Sequence, residues 1–216
     1  MSDRIWHEVD SYIEDRLVAE DEALSAAVRD SAAAGLAPIA VSAAQGKMLH
    51  LMALSIGARR ILEVGTLGGY SAIWLARALP ASGELISLEI DPRNAEVARE
   101  NIARAKPAAE VEVKVGMALD LLPSLSGPFD FTFIDANKED NAAYFAHALR
   151  MSRKGSIIIV DNVVRGGQVV DANGDAQVQG VRKMFDLIAN EPRVSSTAVQ
   201  TVGVKGYDGF LMAVVL

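Results

Sequence analysis

The sequence predicts a doubly wound α/β fold: a mostly parallel seven-stranded sheet with helices on both faces and an antiparallel hairpin at its C-terminal end. Three observations predict it. Strand-like and helix-like segments alternate from residue 60 to residue 189, which implies parallel strands joined by right-handed crossovers. The run Ile157-Ile158-Ile159-Val160 is apolar at every position, as a strand covered on both sides should be. The chain end breaks the alternation: 194–202 and 210–216 read as strands joined by a glycine-rich turn over 203–209. With no helix between them, they can only be antiparallel neighbours.

In chain order, apolar Ile5, Val9, Ile13 and Leu17 recur at helical spacing, and an alanine-rich stretch from Asp21 ends at Gly35. Residues 3–34 therefore read as helices. A further helix over about 42–56 begins at Ser42, a residue able to cap it. Strand 60–65, helix 70–79, strand 84–90, helix 92–105, strand 111–115 and a short helix over 118–122 follow. Strand 129–136, helix 139–151, strand 156–160 and helix 177–189 complete the alternation. A chain of 216 residues suits one domain, residues 1–41 forming a helical cap on a core of 42–216.

Composition narrows the function. Lys+Arg 21 against Asp+Glu 28 gives a net charge of −7 with no basic block, so a nucleic-acid backbone meets repulsion rather than a cationic stripe. The absence of cysteine excludes disulfides and thiolate metal sites and leaves any metal to oxygen or imidazole ligands. The polar start, Met1 to Glu8, is no signal peptide. With no apolar stretch long enough to span a bilayer, the expected location is the cytoplasm.

The stretch Ile61-Leu62-Glu63-Val64-Gly65-Thr66-Leu67-Gly68-Gly69-Tyr70-Ser71 reads as a buried strand entering a glycine-rich turn and then a helix. In a Rossmann-like sheet this is where a cofactor sits. Its glycines allow close backbone approach, and the helix start presents free N–H groups to a carboxylate or phosphate, with Ser71 adding a hydroxyl donor. Glu89 closes the next strand, about 20 residues on, where an acid accepts hydrogen bonds from ribose hydroxyls. The spacing departs from the G-x-G-x-x-G of nicotinamide enzymes.

Asp135 ends the fourth strand and Asp161-Asn162 end the fifth, so all three reach the same carboxyl edge as the turn. Two carboxylates and an amide oxygen form a hard ligand set suited to Mg²⁺, with Mn²⁺ or Ca²⁺ as substitutes. His7, His50 and His147 fall in helices and are not placed to join them. Lys138, at a helix start, is by default a solvated charge. An acid suits that end of a helix better, which favours a functional reason for it.

Glu63-x-Gly65-Thr66-x-x-Gly69-Tyr70-Ser71, Glu89, Gly116-x-Ala118, Asp135-Ala136-Asn137-Lys138, Asp161-Asn162 and Asp208-Gly209 together resemble the cation-dependent O-methyltransferases, the group of the catechol and caffeoyl-CoA O-methyltransferases. The resemblance runs from about Val41 to the C-terminus. It implies S-adenosylmethionine as methyl donor, its amino-acid end held by Glu63, Gly65, Thr66 and Ser71 and covered by Val41. Glu89 would hold the ribose, Ala118 would meet the adenine through its backbone, and Asp135 would touch both donor and metal. It implies a vicinal diphenol as acceptor, such as a catechol, hydroxycinnamoyl ester or flavonoid. Lys138 would take the proton, and the assembly would be a homodimer.

The pattern departs from the family at the acceptor side. Asp140-Asn141 stand where plant-type relatives carry Asn and Tyr, although Tyr144 keeps a later aromatic. Those relatives often have an acid where Asn137 stands. The substrate-contacting acid of the catechol enzyme corresponds to an apolar place here, around Phe210-Leu211. The loop 163–175 follows the proposed ligands; its glycines suit either a mobile lid or a plain surface connection, and Arg165 is placed to meet an acidic substrate group. The N-terminal helices either cover the pocket or pair two subunits. Two other functions share the fold: methyl transfer to another acceptor without metal, and nucleotide binding without catalysis.

Overall fold

The structure, a computed structural model, describes residues 2–216. Helices α1 (Ser2–Leu17), α2 (Glu22–Ala33) and α3 (Ala43–Ser55) precede the sheet. The alternation then runs β1 (Arg60–Val64), α4 (Tyr70–Ala76), β2 (Glu84–Glu89), α5 (Pro92–Ala105), β3 (Glu110–Val115) and α6 (Ala118–Leu121). It continues with β4 (Phe129–Ile134), α7 (Asn141–Arg150), β5 (Ser152–Asp161) and α8 (Ala176–Ala189), and ends in the hairpin β6 (Val194–Gly203) and β7 (Gly206–Val215). Side-chain oxygens start several helices, among them the Ser42 cap that the sequence predicts. Ser42 Oγ accepts from Gln45 N at 3.2 Å, and Asp21 and Asp175 cap α2 and α8 in the same way.

The sheet order is β3-β2-β1-β4-β5-β7-β6. Strands β1 to β5 pair in parallel, and β7 enters antiparallel between β5 and β6. The mostly parallel seven-stranded sheet with its antiparallel end is therefore present. Alternate residues feed two cores. Ile61, Phe131, Phe133 and Ile159 pack beneath α3, α4 and α5, while Leu62, Ile134, Ile158 and Val160 pack beneath α7 and α8. Every residue of β4 is buried, and each buried Phe or Leu contributes about 1.5–3 kcal/mol. Among the described residues no helix is long and apolar enough to cross a membrane.

Element boundaries differ from the sequence reading by three residues or more at three places. Helix α4 stops at Ala76 instead of residue 79, because Ala78 N and Leu79 N bond three residues back and tighten the turn ahead of Pro80. Strand β5 begins at Ser152, not 156; its polar first residues pair with β4 across a register shift near Phe129, a pairing that local composition does not signal. The final turn is only Val204-Lys205, so Asp208 and Gly209 lie within β7. Gly209 is a strand glycine: a Cβ there would come within 2.3 Å of the Val199 carbonyl oxygen.

Candidate active site

A cavity of about 850 Å³ opens at the carboxyl edge of the sheet, a size suited to small-molecule ligands. The turn after β1, Glu89, Ala118, Asp135 and Asn162 reach it from five successive parallel strands. Strand order reverses between β1 and β4, and that reversal parts the crossovers and leaves a crevice.

Gly65 has φ 98°, and a Cβ there would lie 2.1 Å from the Asp135 carbonyl oxygen. The glycine thus lets the turn close onto the end of β4. Gly69 packs against Ala98 of α5, and Gly68, although it lines the cavity, has Ser31 of α2 where a Cβ would stand. Only part of the glycine pattern therefore concerns a ligand; the rest is helix packing. Gly65→Ala is expected to displace Asp135 and cost about 1–3 kcal/mol, read as a lower melting midpoint. An unchanged midpoint would overturn this close-approach argument.

Glu63 is fully buried beneath the turn and does not line the cavity. Ser71 Oγ donates to its Oε1 at 2.6 Å and Ser87 Oγ to its Oε2 at 2.5 Å. The Ser71 hydroxyl proton is thus directed to Glu63, leaving the Ser71 oxygen as an acceptor. Glu89 Oε2 accepts from the N–H groups of Thr66 and Leu67 at 3.2 and 2.8 Å. The acid that closes β2 therefore holds the turn's backbone as well as facing the cavity.

Burial pushes the Glu63 carboxyl up to about 7, with smaller upward contributions from Asp135 and Glu89 against the pull of the two serines. Between its ordinary 4.5 and about 7, the folded protein keeps a proton that the unfolded chain has lost. This site's contribution to stability therefore falls as pH rises through that window. The difference is on the order of 3 kcal/mol. Glu63→Gln should raise the melting midpoint relative to the parent at about pH 8 and raise it less at about pH 5. A gap that fails to widen with pH would contradict the buried-acid reading.

Lys138 is not a solvated charge: it is 6% exposed, and its Nζ donates to Asp135 Oδ1 at 2.5 Å. Asp161, 5% exposed, lies just behind the cavity wall and receives Gln45 Nε2 on Oδ2 at 2.7 Å and the Asn162 N–H on Oδ1 at 2.8 Å. Burial, then the Asp135 charge, push Asp161 up to about 6. Asn162 takes a left-handed φ of 56°, which asparagine tolerates better than most residues. Asp135, Lys138 and Asn162 line the cavity directly. Tyr144 also lines it, its phenol pushed up to about 12 by burial and by Asp140.

The O-methyltransferase family model matches residues 14–213. The chain belongs to the O-methyltransferase family. It is 51% identical to a catechol O-methyltransferase of Mycobacterium tuberculosis over 209 residues, 96% of this chain and 95% of that one. It is 48% identical to a catechol O-methyltransferase of Niastella koreensis, covering 100% of both chains. An O-methyltransferase of tomaymycin synthesis from Streptomyces achromogenes, solved in complex with S-adenosylmethionine, superposes with a TM-score of 0.97 at 51% identity. That match covers 100% of this chain and 99% of the other.

In this O-methyltransferase, several lining residues carry no sequence signal. Glu14 of α1, Glu20 of the α1–α2 link and Val28 of α2 reach the cavity, so this N-terminal segment does cover it. Tyr70 Oη donates to Glu20. The β6–β7 turn closes another side: Asp10 Oδ2 accepts from Val204 N at 2.7 Å, and Lys205 Nζ donates to the Pro38 carbonyl at 3.2 Å. Val204 and Lys205, not Phe210 and Leu211, bring the hairpin to the cavity; Phe210 and Leu211 are core residues. Val41 lines the cavity beside Ser42. None of the three histidines does; His50 packs edge-on against Trp74.

Proposed function

We propose that this O-methyltransferase takes its methyl group from S-adenosylmethionine and gives it to one hydroxyl of a vicinal diphenol, aided by a divalent cation. One observation supports this above the others: a buried lysine is ion-paired to Asp135, in the same cavity as the glycine-rich turn. The catechol O-methyltransferases among its relatives and the S-adenosylmethionine-bound structure support donor and acceptor class.

The residues fit a metal. Among the described residues no group of three or more acidic, histidine or cysteine side chains is placed to bind one, but Asp135 and Asn162 line the cavity and Asp161 precedes Asn162 at the same sheet edge. Lys138 occupies Oδ1 of Asp135 and leaves Oδ2 without a hydrogen bond. Burial first, and then the Asp135 charge, push Asp161 up, and a bound cation would oppose both. Asp135, Asp161 and Asn162 would hold it, and its Lewis acidity would favour ionisation of the acceptor hydroxyl.

The donor supplies a methyl group on a positively charged sulfur. Val41, the Gly65–Thr66 backbone and the Ser71 oxygen would hold its amino-acid end, with Glu63 fixing Ser71 from beneath; Glu89 would take the ribose and the Ala118 backbone the adenine. In its neutral form Lys138 would receive the proton of the attacking hydroxyl, and the ammonium paired with Asp135 is the state that results. The acceptor oxygen then forms its bond to carbon as the carbon–sulfur bond breaks, with the electron pair going to sulfur. Alignment in a closed cavity, rather than further bonding chemistry, supplies most of the acceleration.

Methyl transfer to a panel of catechols, with Mg²⁺ and again with EDTA, tests this. Product that depends on the metal is expected; full turnover in EDTA would reject the metal, and no product on any diphenol would reject the acceptor. We also propose a homodimer. The outer strand β6 is exposed along nearly its whole length, the kind of edge that pairs with another chain. Light scattering at a monomer mass would exclude the dimer.

A further inference from the structure

Three residues past Asn162, Arg165 opens a turn of 3-10 helix over residues 165–170. Its φ of 57° is left-handed, which a residue of this size rarely adopts. Asp208 Oδ1 accepts from both Val164 N and Arg165 N, at 3.0 and 2.9 Å, so β7 imposes the conformation. Backbones held this way cluster at ligand-binding positions. The side chain is fixed too, since Arg165 Nη2 donates to Gln177 Oε1 of α8 at 2.8 Å.

Arg165 and Gln177 both line the cavity, yet Arg165 Nε is buried and has no hydrogen-bond partner. Among the described residues Arg165 forms no salt bridge. The other two cations of the lining are engaged, Lys138 with Asp135 and Lys205 with the Pro38 carbonyl. A buried donor without a partner carries a desolvation cost, and the planar guanidinium fork matches a carboxylate.

We propose that Arg165 is a specificity-determining residue that receives a carboxylate borne by the acceptor, so that diphenols with an acidic substituent are preferred to neutral ones. This rests on the reading of the cavity as a diphenol site. Three residues span at most about 10 Å, so Arg165 and Asn162 address the same small molecule. Gln177 holds one nitrogen of the fork and sets the angle at which the rest meets the ligand.

Three acceptors test it: catechol, a dihydroxybenzoic acid and the methyl ester of that acid. In the parent enzyme kcat/KM for the acid should exceed that for the ester by about tenfold or more, mainly through KM. In Arg165→Met the acid-to-ester ratio should fall toward one, with Arg165→Lys recovering part of it. Turnover of all three acceptors with a ratio that Arg165→Met leaves unchanged would overturn the proposal. Turnover of none would instead reject the diphenol reading beneath it. Should Arg165→Met fail to fold, the acid-to-ester ratio of the parent decides, and a ratio near one rejects the proposal.

Discussion

Asp135→Ala is expected to lower kcat/KM for metal-dependent methyl transfer by about a thousandfold or more, while binding of S-adenosylhomocysteine weakens much less. The carboxylate has three partners that fail together. It pairs with Lys138 at 2.5 Å, its charge adds to burial in pushing Asp161 up, and under the proposed function it would offer its other oxygen to the cation. Charge stabilisation by a metal contributes several kcal/mol to a transition state, and each 1.36 kcal/mol is a factor of ten. The substitution also leaves Lys138 buried and unpaired, at a cost in stability of up to about 3 kcal/mol. Asp135→Asn separates these effects, since an amide oxygen still accepts from Lys138 but carries no charge. Asp135→Asn should therefore melt closer to the parent than Asp135→Ala does, with activity still lost. Full turnover in EDTA by Asp135→Ala would remove the metal from the proposal.

Much of this site can be read from the sequence because parallel strands put their carboxyl ends on one edge. Uninterrupted apolar residues such as Ile157–Val160 mark the strands, and once they are placed, Asp135, Asp161 and Asn162 fall at the same carboxyl edge without further information. What local sequence does not show is which of these groups is buried, and by what. Lys138 follows a strand in polar surroundings, and its burial depends on α8. A Cβ at Gly180 would come within 2.3 Å of the Lys138 carbonyl oxygen, so that glycine lets the helix close on the turn. Gln45 supports Asp161 across 116 residues of sequence, and its place three residues after a helix cap signals only the helix. Glycines 68 and 69 look like part of a ligand turn, yet α2 and α5 fill the space beside them. Local spacing cannot distinguish a glycine that admits a ligand from one that admits a helix.

Lys138→Ala should lower kcat by about 10²–10⁴, the range for a general base, with the methyl donor still bound. A loss of that size has two explanations. Lys138 either takes the proton or merely neutralises Asp135, with which it pairs, and Asp161, whose charged form its own charge favours. Lys138→Arg tells them apart, because arginine keeps the positive charge but cannot give up its proton. If the lysine is the base, arginine restores the ion pair and the melting midpoint without restoring kcat. If it only balances charge, arginine recovers both. The assay belongs at saturating Mg²⁺ and about pH 8, above the value near 6 to which burial and Asp135 push Asp161, so that incomplete ionisation of Asp161 does not mimic loss of the base. Lys138 is part of a buried pair, so Lys138→Ala also leaves Asp135 without its cation, and some loss of stability is expected whichever explanation holds. The melting midpoint therefore does not discriminate. The kcat of Lys138→Arg does, and recovery to near the parent's value would remove the lysine from its role as base.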